Sequence, residues 1–203
     1  MRGVSLATVG GGQARAARGR VGREMAEILT VGHSNHEEGE FLELLRGAGV
    51  ELVADVRANP HSRYPQFNRS ALAAELIAIG IHYVDLGGEL GGHRHPQPGS
   101  VNTGWEGIEA FQGYADHMAS LEFETGLERL EELARERRTA VMCAEADWSR
   151  CHRRLLSDAL TMRGWQVLHL GPTGALVPHE LTDFAVVENG VVTYPARQTS
   201  LGL

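Results

Sequence analysis

Five short apolar runs alternate with segments of helical periodicity between residues 28 and 170, and this alternation constrains the fold more than any other feature. Each run ends in glycine or polar residues, as a buried strand does where it meets a turn. The predicted strands cover residues 28–31, 52–56, 81–84, 139–142 and 167–170. Strands that alternate with helices form a mostly parallel sheet that is covered on both faces. The sequence therefore predicts a three-layer α/β fold with about five mainly parallel strands.

Both ends of the chain differ from this regular middle. Residues 184–187 and 191–194 flank Asn189-Gly190, a pair typical of a tight turn, so we predict a C-terminal β-hairpin. Residues 1–26 are rich in glycine, alanine and arginine and lack apolar periodicity. We expect a disordered leader there, or a start codon read too far upstream, followed by one α/β domain over residues 27–203.

Two local segments carry signals of their own. Ser34 and Glu37 have the spacing of a capping box, which predicts the start of the first helix. Residues 86–105 form a glycine-rich stretch without periodicity that is too long for a plain connection. This loop is either a lid over a ligand, with His93, Arg94 and His95 facing it, or a disordered segment.

Composition and charge exclude several classes of protein. All 19 basic residues are arginine, so sites that depend on a phosphate-loop lysine or a Schiff-base lysine are excluded. The net charge is −7, although the first 23 residues carry five arginines and no acid, and an acidic body argues against broad nucleic-acid binding. No apolar run is long enough to cross a bilayer, and no secretory signal is present. With only two cysteines as well, we expect a cytoplasmic protein without membrane contact.

The carboxyl ends of the predicted strands are the most informative positions, because ligands of open α/β sheets bind beyond them. These ends hold polar residues or glycine at 32–34, 55–57, 87–89, 143–145 and 169–171. We predict that one cleft at this edge of the sheet is lined by His33, Asp55, Arg57, Glu89, Cys143 and Glu145.

Residues 142–154, MCAEADWSRCHRR, hold the densest group of reactive side chains. Cys143 ends a strand and Cys151 opens a helix, where the helix dipole and nearby arginines lower the pKa of a thiol. Burial and the acidic neighbour Glu145 raise it, so Cys143 is either a reactive thiol or a small buried hydrophobe. We predict two free thiols, because a strand end and a helix start usually lie too far apart for a disulfide. Arg150, Arg153 or Arg154 can bind an anion at the same loop.

The spacing within this loop argues against two known arrangements. Six residues separate Cys143 from Arg150, one more than in the loop of cysteine phosphatases and rhodaneses, and the segment is acidic. Seven residues separate the two cysteines, which is not zinc-finger spacing, so we assign no residue to a structural metal. The loop nevertheless holds four competent metal ligands, Cys143, Glu145, Cys151 and His152. A catalytic metal that borrows His33 or Asp55 therefore stays open.

The other strand ends allow two readings each. His33 is a candidate general base or anion donor, and equally a turn residue. Asp55 and Arg57 point to the same side of a strand, where they either serve a site or pair with each other. Basic and aromatic groups alternate as in a base-stacking surface, or simply belong to a surface loop, at Arg57, Arg63, Tyr64 and Phe67.

Five segments together resemble the uncharacterised bacterial family of the domain of unknown function 488. They are TVGHSN, ADVRANPHSRYPQFN, YVDLGGELGG, FQGYADHM and VMCAEADWSRCHRRLLSDAL, and the resemblance runs from about Leu29 to His179. It implies a Rossmann-like α/β domain in a prokaryotic cytoplasm, and it implies no activity. The positions that it marks are His33, Asp55, Arg57, Phe67, Asn68, Gly88, Leu90, Gly91, Cys143, Glu145, Cys151, His152 and Arg153.

We therefore predict an enzyme, or a domain derived from one, that binds a small anionic ligand such as a nucleotide or a phosphorylated metabolite. The predicted catalytic residues are Cys143 as nucleophile or ligand, Glu145 as acid or base, and His33 with Asp55 in support. The predicted ligand-binding residues are Arg57, Asn68, Glu89, Cys151, His152 and Arg153, with Arg57 and Arg153 as the anion clamp. The alternative is a non-catalytic binding or regulatory module that contacts single-stranded nucleic acid. The sequence names no cofactor and no oligomeric state.

Overall fold

The structure, a computed structural model, describes residues 26–188 and 190–196. Its strands are β1 (Glu27–Gly32), β2 (Leu52–Asp55), β3 (His82–Asp85), β4 (Thr139–Cys143), β5 (Gln166–Leu170), β6 (Leu176–Pro178), β7 (Val186–Glu188) and β8 (Val191–Thr193). Its helices are α1 (Glu38–Gly47), α2 (Arg69–Ala78), α3 (Gly87–Leu90), α4 (Glu109–His117), α5 (Leu121–Glu136) and α6 (Arg153–Met162). Apart from Ala26, the predicted leader lies outside the described residues.

The main sheet has six strands in the order β3-β2-β4-β1-β5-β6. The first five are parallel, and β6 pairs with β5 in the antiparallel direction. The predicted mainly parallel α/β sheet is confirmed, with one strand more than expected. Strand β6 gives no sequence signal because its three residues are all exposed and the last is a proline, a combination suited to a sheet edge.

Successive residues of each strand face opposite layers of helices. In β1, Ile28 packs into one apolar core and Leu29 into the other. Helices α1 and α2 cover the Leu29 face with residues such as Phe41 and Leu72, whereas α4, α5 and α6 cover the Ile28 face. This alternation also directs Cys143, the last residue of β4, toward α6.

The register of the strands brings their carboxyl ends to one edge. Gly32 is level with Cys143, and Asp55 is level with both Met142 and Asp85. The chain after β4 then crosses the end of β1 so closely that a Cβ on Gly32 would collide with the carbonyl oxygen of Glu145. Only glycine fits at this crossing, which fixes the height of the loop that carries Glu145.

The capping box predicted at the start of α1 is wrong. Ser34 Oγ donates a hydrogen bond to Asn35 Oδ1, and α1 begins at Glu38 after an N-cap residue without a side-chain cap. The reason is that the backbone N–H of Ser34 donates to Ala144, which holds this serine at the sheet edge with a φ of 48°.

The long loop between β3 and α4 is ordered by one carboxylate. It contains the short helix α3 and a 3-10 turn at Thr103–Trp105. Asp116 of α4 accepts hydrogen bonds from Ser100 Oγ at 2.6 Å, Asn102 Nδ2 at 2.7 Å and the Gln97 N–H at 2.8 Å. The loop is therefore tied to the helix that follows it.

The predicted C-terminal hairpin is confirmed by the antiparallel pairing of β7 with β8. Asn189, in its turn, lies outside the described residues, as do residues 197–203. Tyr194, just after β8, is fully buried and donates its hydroxyl hydrogen to Asp158 of α6 at 2.8 Å. The end of the hairpin thus packs against the same helix that carries the cysteine loop.

Among the helices of the described residues, none is long and apolar enough to cross a membrane.

Candidate functional site

A cavity of about 180 Å³ opens at the carboxyl edge of the sheet, beyond the ends of β2 and β4. Its walls come from residues 57–59, 92–93, 110–111, 143–145 and 150–152. Three residues predicted to line one cleft, Arg57, Cys143 and Glu145, do line this cavity. Cys151 and His152 line it as well.

Four side chains, Cys143, Glu145, Cys151 and His152, form the floor of the cavity and are called the sulfur cluster below. Glu145 Oε2 lies 2.9 Å from Cys143 Sγ and 3.2 Å from Cys151 Sγ. His152 Nδ1 lies 3.9 Å from the first sulfur and 3.7 Å from the second. Both cysteines are free thiols, as predicted, and they are buried.

The elements that hold the cluster differ in rigidity. Cys143 is the last residue of β4, and Cys151 and His152 directly precede α6. His152 Nε2 donates to the carbonyl oxygen of Val56 at 3.2 Å, which fixes the ring so that Nδ1 faces the sulfurs. Glu145 instead lies in the loop between β4 and α6 and is exposed. Its carboxylate is therefore the adjustable member of the cluster.

The two thiols have opposite acidities. The hydrogen bond with Cys151, together with burial and the Glu145 carboxylate, raises the pKa of Cys143 well above its usual value. Burial also acts to raise the pKa of Cys151, but hydrogen bonds with Cys143 and His152 and the charge of Arg153 outweigh it and hold this pKa well below its usual value. Of the two sulfurs, Cys151 is therefore the more acidic, and the role of Cys143 as nucleophile or ligand stays a prediction.

Arg153 supports the cluster from below instead of lining the cavity. Its side chain is almost completely buried, and Nε donates to Cys151 Sγ at 3.4 Å. Nη2 donates to the backbone carbonyl of Glu145. Two of its donors are thus used on Cys151 Sγ and on the loop, and the anion-clamp role of Arg153 stays a prediction.

Asp55 and Arg57 form a buried ion pair, the second of the two readings that the sequence allowed. Arg57 Nη2 lies 2.6 Å from Asp55 Oδ2, and Arg57 Nε lies 2.9 Å from Oδ1. The hydroxyl of Tyr83 also donates to Asp55 Oδ2 at 2.6 Å. This carboxylate orients Arg57, and the catalytic role predicted for Asp55 stays a prediction.

His33 completes this support and does not line the cavity. Its Nδ1 donates to the carbonyl oxygen of Ser34 at 2.9 Å, and its Nε2 accepts from Arg57 Nη1 at 3.1 Å. The ring stacks on Phe67 with centroids 4.2 Å apart. Burial, followed by the charge of Arg57, lowers the pKa of His33 to about 4. His33 is therefore a neutral imidazole that positions Arg57, and its role as a general base stays a prediction.

Glu89 and Asn68 do not line the cavity and make local contacts instead, and their role in ligand binding stays a prediction. Glu89 points away from the cavity toward α5, where its carboxylate lies 3.6 Å from Arg129. Gly126 of α5 makes room for this approach, because a Cβ there would collide with Glu89. Asn68 Oδ1 accepts the N–H of Ser62 at 2.8 Å and shapes the loop before α2.

The basic and aromatic stretch does not form an exposed stacking surface. Arg57 and Phe67 are buried, and only Arg63 and Tyr64 reach the surface, where the guanidinium lies 5.2 Å from the tyrosine ring centroid. This placement removes the basis for a single-stranded nucleic-acid groove at these four residues.

Sequence reasoning left Arg150 and His93 out of the final set, although both line the cavity. Arg150 is exposed, and no described residue accepts a hydrogen bond from its guanidinium. His93 comes from the long loop, so this segment contributes to the cavity wall, and its role as a lid over a ligand stays a prediction. The signal for Arg150 was its position directly before Cys151.

Comparison with known proteins identifies a family. The family model described as domain of unknown function DUF488 matches residues 39–160. No curated protein and no solved structure matches the chain.

Proposed function

The chain belongs to the family of the domain of unknown function DUF488, and on this premise we propose that it is an enzyme, or a domain derived from one, that binds a small anionic ligand in the cavity. The anion lies between the cavity arginines and the sulfur cluster, which supplies the reactive groups. This assignment follows the general rule that open α/β sheets bind ligands beyond the carboxyl ends of their strands.

The observation that carries the proposal is that two arginines line the same cavity, one of them buried and the other exposed. Arg57 is buried, and its partners Asp55, His33 and Phe67 occupy four of its five N–H groups. Its remaining N–H belongs to a guanidinium that is already oriented, so an anion binds there without ordering the side chain. Arg150 is exposed and free of a hydrogen-bond acceptor among the described residues, so it closes on the ligand from solvent.

The size of the cavity selects among anions. Its volume of about 180 Å³ is below the range of roughly 300 to 1,000 Å³ that is common for sites of drug-sized ligands. A complete nucleotide would leave its base and sugar outside. Of the two ligand classes predicted from the sequence, the proposal therefore favours a small phosphorylated or carboxylated metabolite. Two free cysteines also favour a reducing compartment, and the proposal includes the cytoplasm as the location.

The test is calorimetric titration of the full chain with inorganic phosphate, followed by thermal-shift screening against phosphorylated metabolites and nucleotides. A ligand at 100 times its Kd adds about 2.7 kcal/mol to the free energy of unfolding. Arg150→Ala is expected to weaken phosphate binding roughly tenfold, the loss of one charge-assisted hydrogen bond.

Arg137→Ala is the matched control, because Arg137 is exposed and lies just before β4, at the opposite edge of the sheet. It should bind phosphate as the parent chain does. Equal affinity in the two variants would contradict the proposed site, and so would the absence of binding by every compound of the panel.

A further inference from the structure

The sulfur cluster has a second property that the anion proposal does not use. One ligand atom each from Cys143, Cys151 and His152 lies within 4.8 Å of the others, and all three residues are buried. Glu145 Oε2 approaches both sulfurs from the cavity side. Two sulfurs, one imidazole nitrogen and one carboxylate oxygen are a donor set that proteins use for zinc.

The spacing of these atoms fits a tetrahedral ion. With zinc bonds of about 2.3 Å to sulfur and about 2.0 Å to nitrogen, the sulfur-to-nitrogen edge of a tetrahedron is roughly 3.6 Å. The two edges in the structure are 3.9 and 3.7 Å. The carboxylate oxygen lies closer to the sulfurs than a shared ion requires, and Glu145 is the exposed member that can move outward.

The surroundings of the ligand atoms also match a metal site. The ring nitrogen of a metal-binding histidine that does not touch the metal usually donates to a carbonyl or carboxylate. His152 Nε2 donates to the carbonyl oxygen of Val56 in this way, and Nδ1 faces the sulfurs. Arg153 Nε donates to Cys151 Sγ and so offsets the charge that two thiolates and a carboxylate bring to the floor.

We propose that Cys143, Cys151 and His152 hold one divalent transition-metal ion of the zinc type, with Glu145 in the fourth position. When the ion binds, the two thiols lose one proton each to solvent, and Nδ1, which carries no hydrogen because Nε2 donates to Val56, coordinates through its lone pair. Thiolate ligands select such an ion over magnesium or calcium. Glu145 is the exposed ligand and lines the cavity, so it is the ligand that water or a substrate would displace to give the open fourth position of a catalytic zinc.

The ligand set also explains why sequence reasoning assigned no metal. The seven residues between the cysteines exclude a zinc finger, but β4 and the start of α6 are side by side in the fold. The residues that a catalytic metal was expected to borrow, His33 and Asp55, are instead bound to Arg57.

The experiment uses the full chain, reduced and treated with a chelator, and titrates it with Zn²⁺ alone and then with Co²⁺ alone. We expect one equivalent of Zn²⁺ to bind and Co²⁺ to give the charge-transfer absorption of thiolate ligands. Cys143→Ser, Cys151→Ser and His152→Ala should each lower the zinc affinity by roughly 100-fold or more. His82→Ala, which changes an exposed histidine at the start of β3, should bind zinc normally.

One readout needs no variant: bound zinc should protect both cysteines of the parent chain from iodoacetamide. Absence of stoichiometric binding, of the thiolate band or of this protection would overturn the metal site. Because no anion is present, the result is separate from the phosphate titration. Zinc binding without phosphate binding would leave the metal site and remove the proposed function, and the reverse result would do the opposite.

Discussion

Two polar clusters of this domain contain similar residues but serve different purposes. The first is the sulfur cluster on the cavity floor. The second, called the histidine chain below, consists of Thr30, His169, His179 and Asp158. Thr30 Oγ1 lies 2.7 Å from His169 Nδ1, and His169 Nε2 lies 3.0 Å from His179 Nδ1. His179 Nε2 then donates to Asp158 Oδ1 at 2.9 Å.

The histidine chain is closed, because each polar atom in it has a partner and one set of donors satisfies the whole series. Asp158 also accepts the N–H of Thr182 and the hydroxyl of Tyr194. The sulfur cluster instead ends at the exposed carboxylate of Glu145 and lines a cavity. A saturated network enclosed in the protein stabilises the fold, whereas a cluster that lines a cavity is accessible to a ligand.

Loss of Asp158 should give the largest effect on stability. Asp158→Ala removes the acceptor of three buried donors, His179, Thr182 and Tyr194, and should lower the free energy of unfolding by about 3 to 5 kcal/mol. Urea denaturation followed by circular dichroism measures this. Zinc binding by the folded fraction should be unchanged. A loss of stability below about 1 kcal/mol would mean that the histidine chain does not stabilise the fold.

The second-largest expected effect is a loss of stability at low pH. Burial, then the charges of His179 and Arg153, lowers the pKa of His169 to about 3 from 6.5. Below pH 6.5 the unfolded chain binds a proton that the folded chain excludes, so stability falls as the pH falls toward 3. At pH 5 this costs about 2 kcal/mol for His169, and His33 acts in the same direction.

Denaturation at several pH values compares the parent chain with His169→Gln. The variant should be less stable at pH 7 but should lose about 2 kcal/mol less between pH 7 and pH 5. His82→Gln, at an exposed position, should keep the slope of the parent chain. Equal slopes in all three proteins would show that His169 titrates normally.

Trp148 connects the two clusters, because it lies in the loop that carries Glu145 and stacks on His169 with ring centroids 3.8 Å apart. Trp148→Ala should cost about 1 kcal/mol of stability. Phosphate affinity should fall further, roughly tenfold, because the loop that presents Arg150 loses its anchor. Trp148→Phe keeps a stacking ring and is the control. If Trp148→Ala bound phosphate as tightly as the parent chain, Trp148 would not link the histidine chain to the ligand site.

Alkylation compares the reactivity of the two thiols and does not depend on a change in stability. In reduced, chelator-treated protein at pH 7, iodoacetamide should modify Cys151 before Cys143, because the pKa of Cys151 is lowered and that of Cys143 is raised. Mass spectrometry of early time points locates the label. Earlier modification of Cys143 would support the sequence-based assignment.

The fold was largely predictable, since all five parallel strands and the hairpin have a periodic or turn signal. The site was predictable only at the level of the sheet edge. Arg57, Cys143 and Glu145 stand where the strand-end rule expects them. Glu89 does not, because the rule gives the position of a residue and not the direction of its side chain, and α5 offers Arg129 as a partner.

The sequence by itself determined the alternation of strands and helices, and with it the edge at which functional residues gather. This follows because apolar periodicity is local and is read along the chain. Only the tertiary structure decided which polar residues pair with each other and which remain available. Asp55 and His33 pair with Arg57, and against the effect of burial the hydrogen bonds with Cys143 and His152 hold the pKa of Cys151 below its usual value. Pairing and burial depend on distances between residues far apart in sequence, and local patterns do not contain those distances.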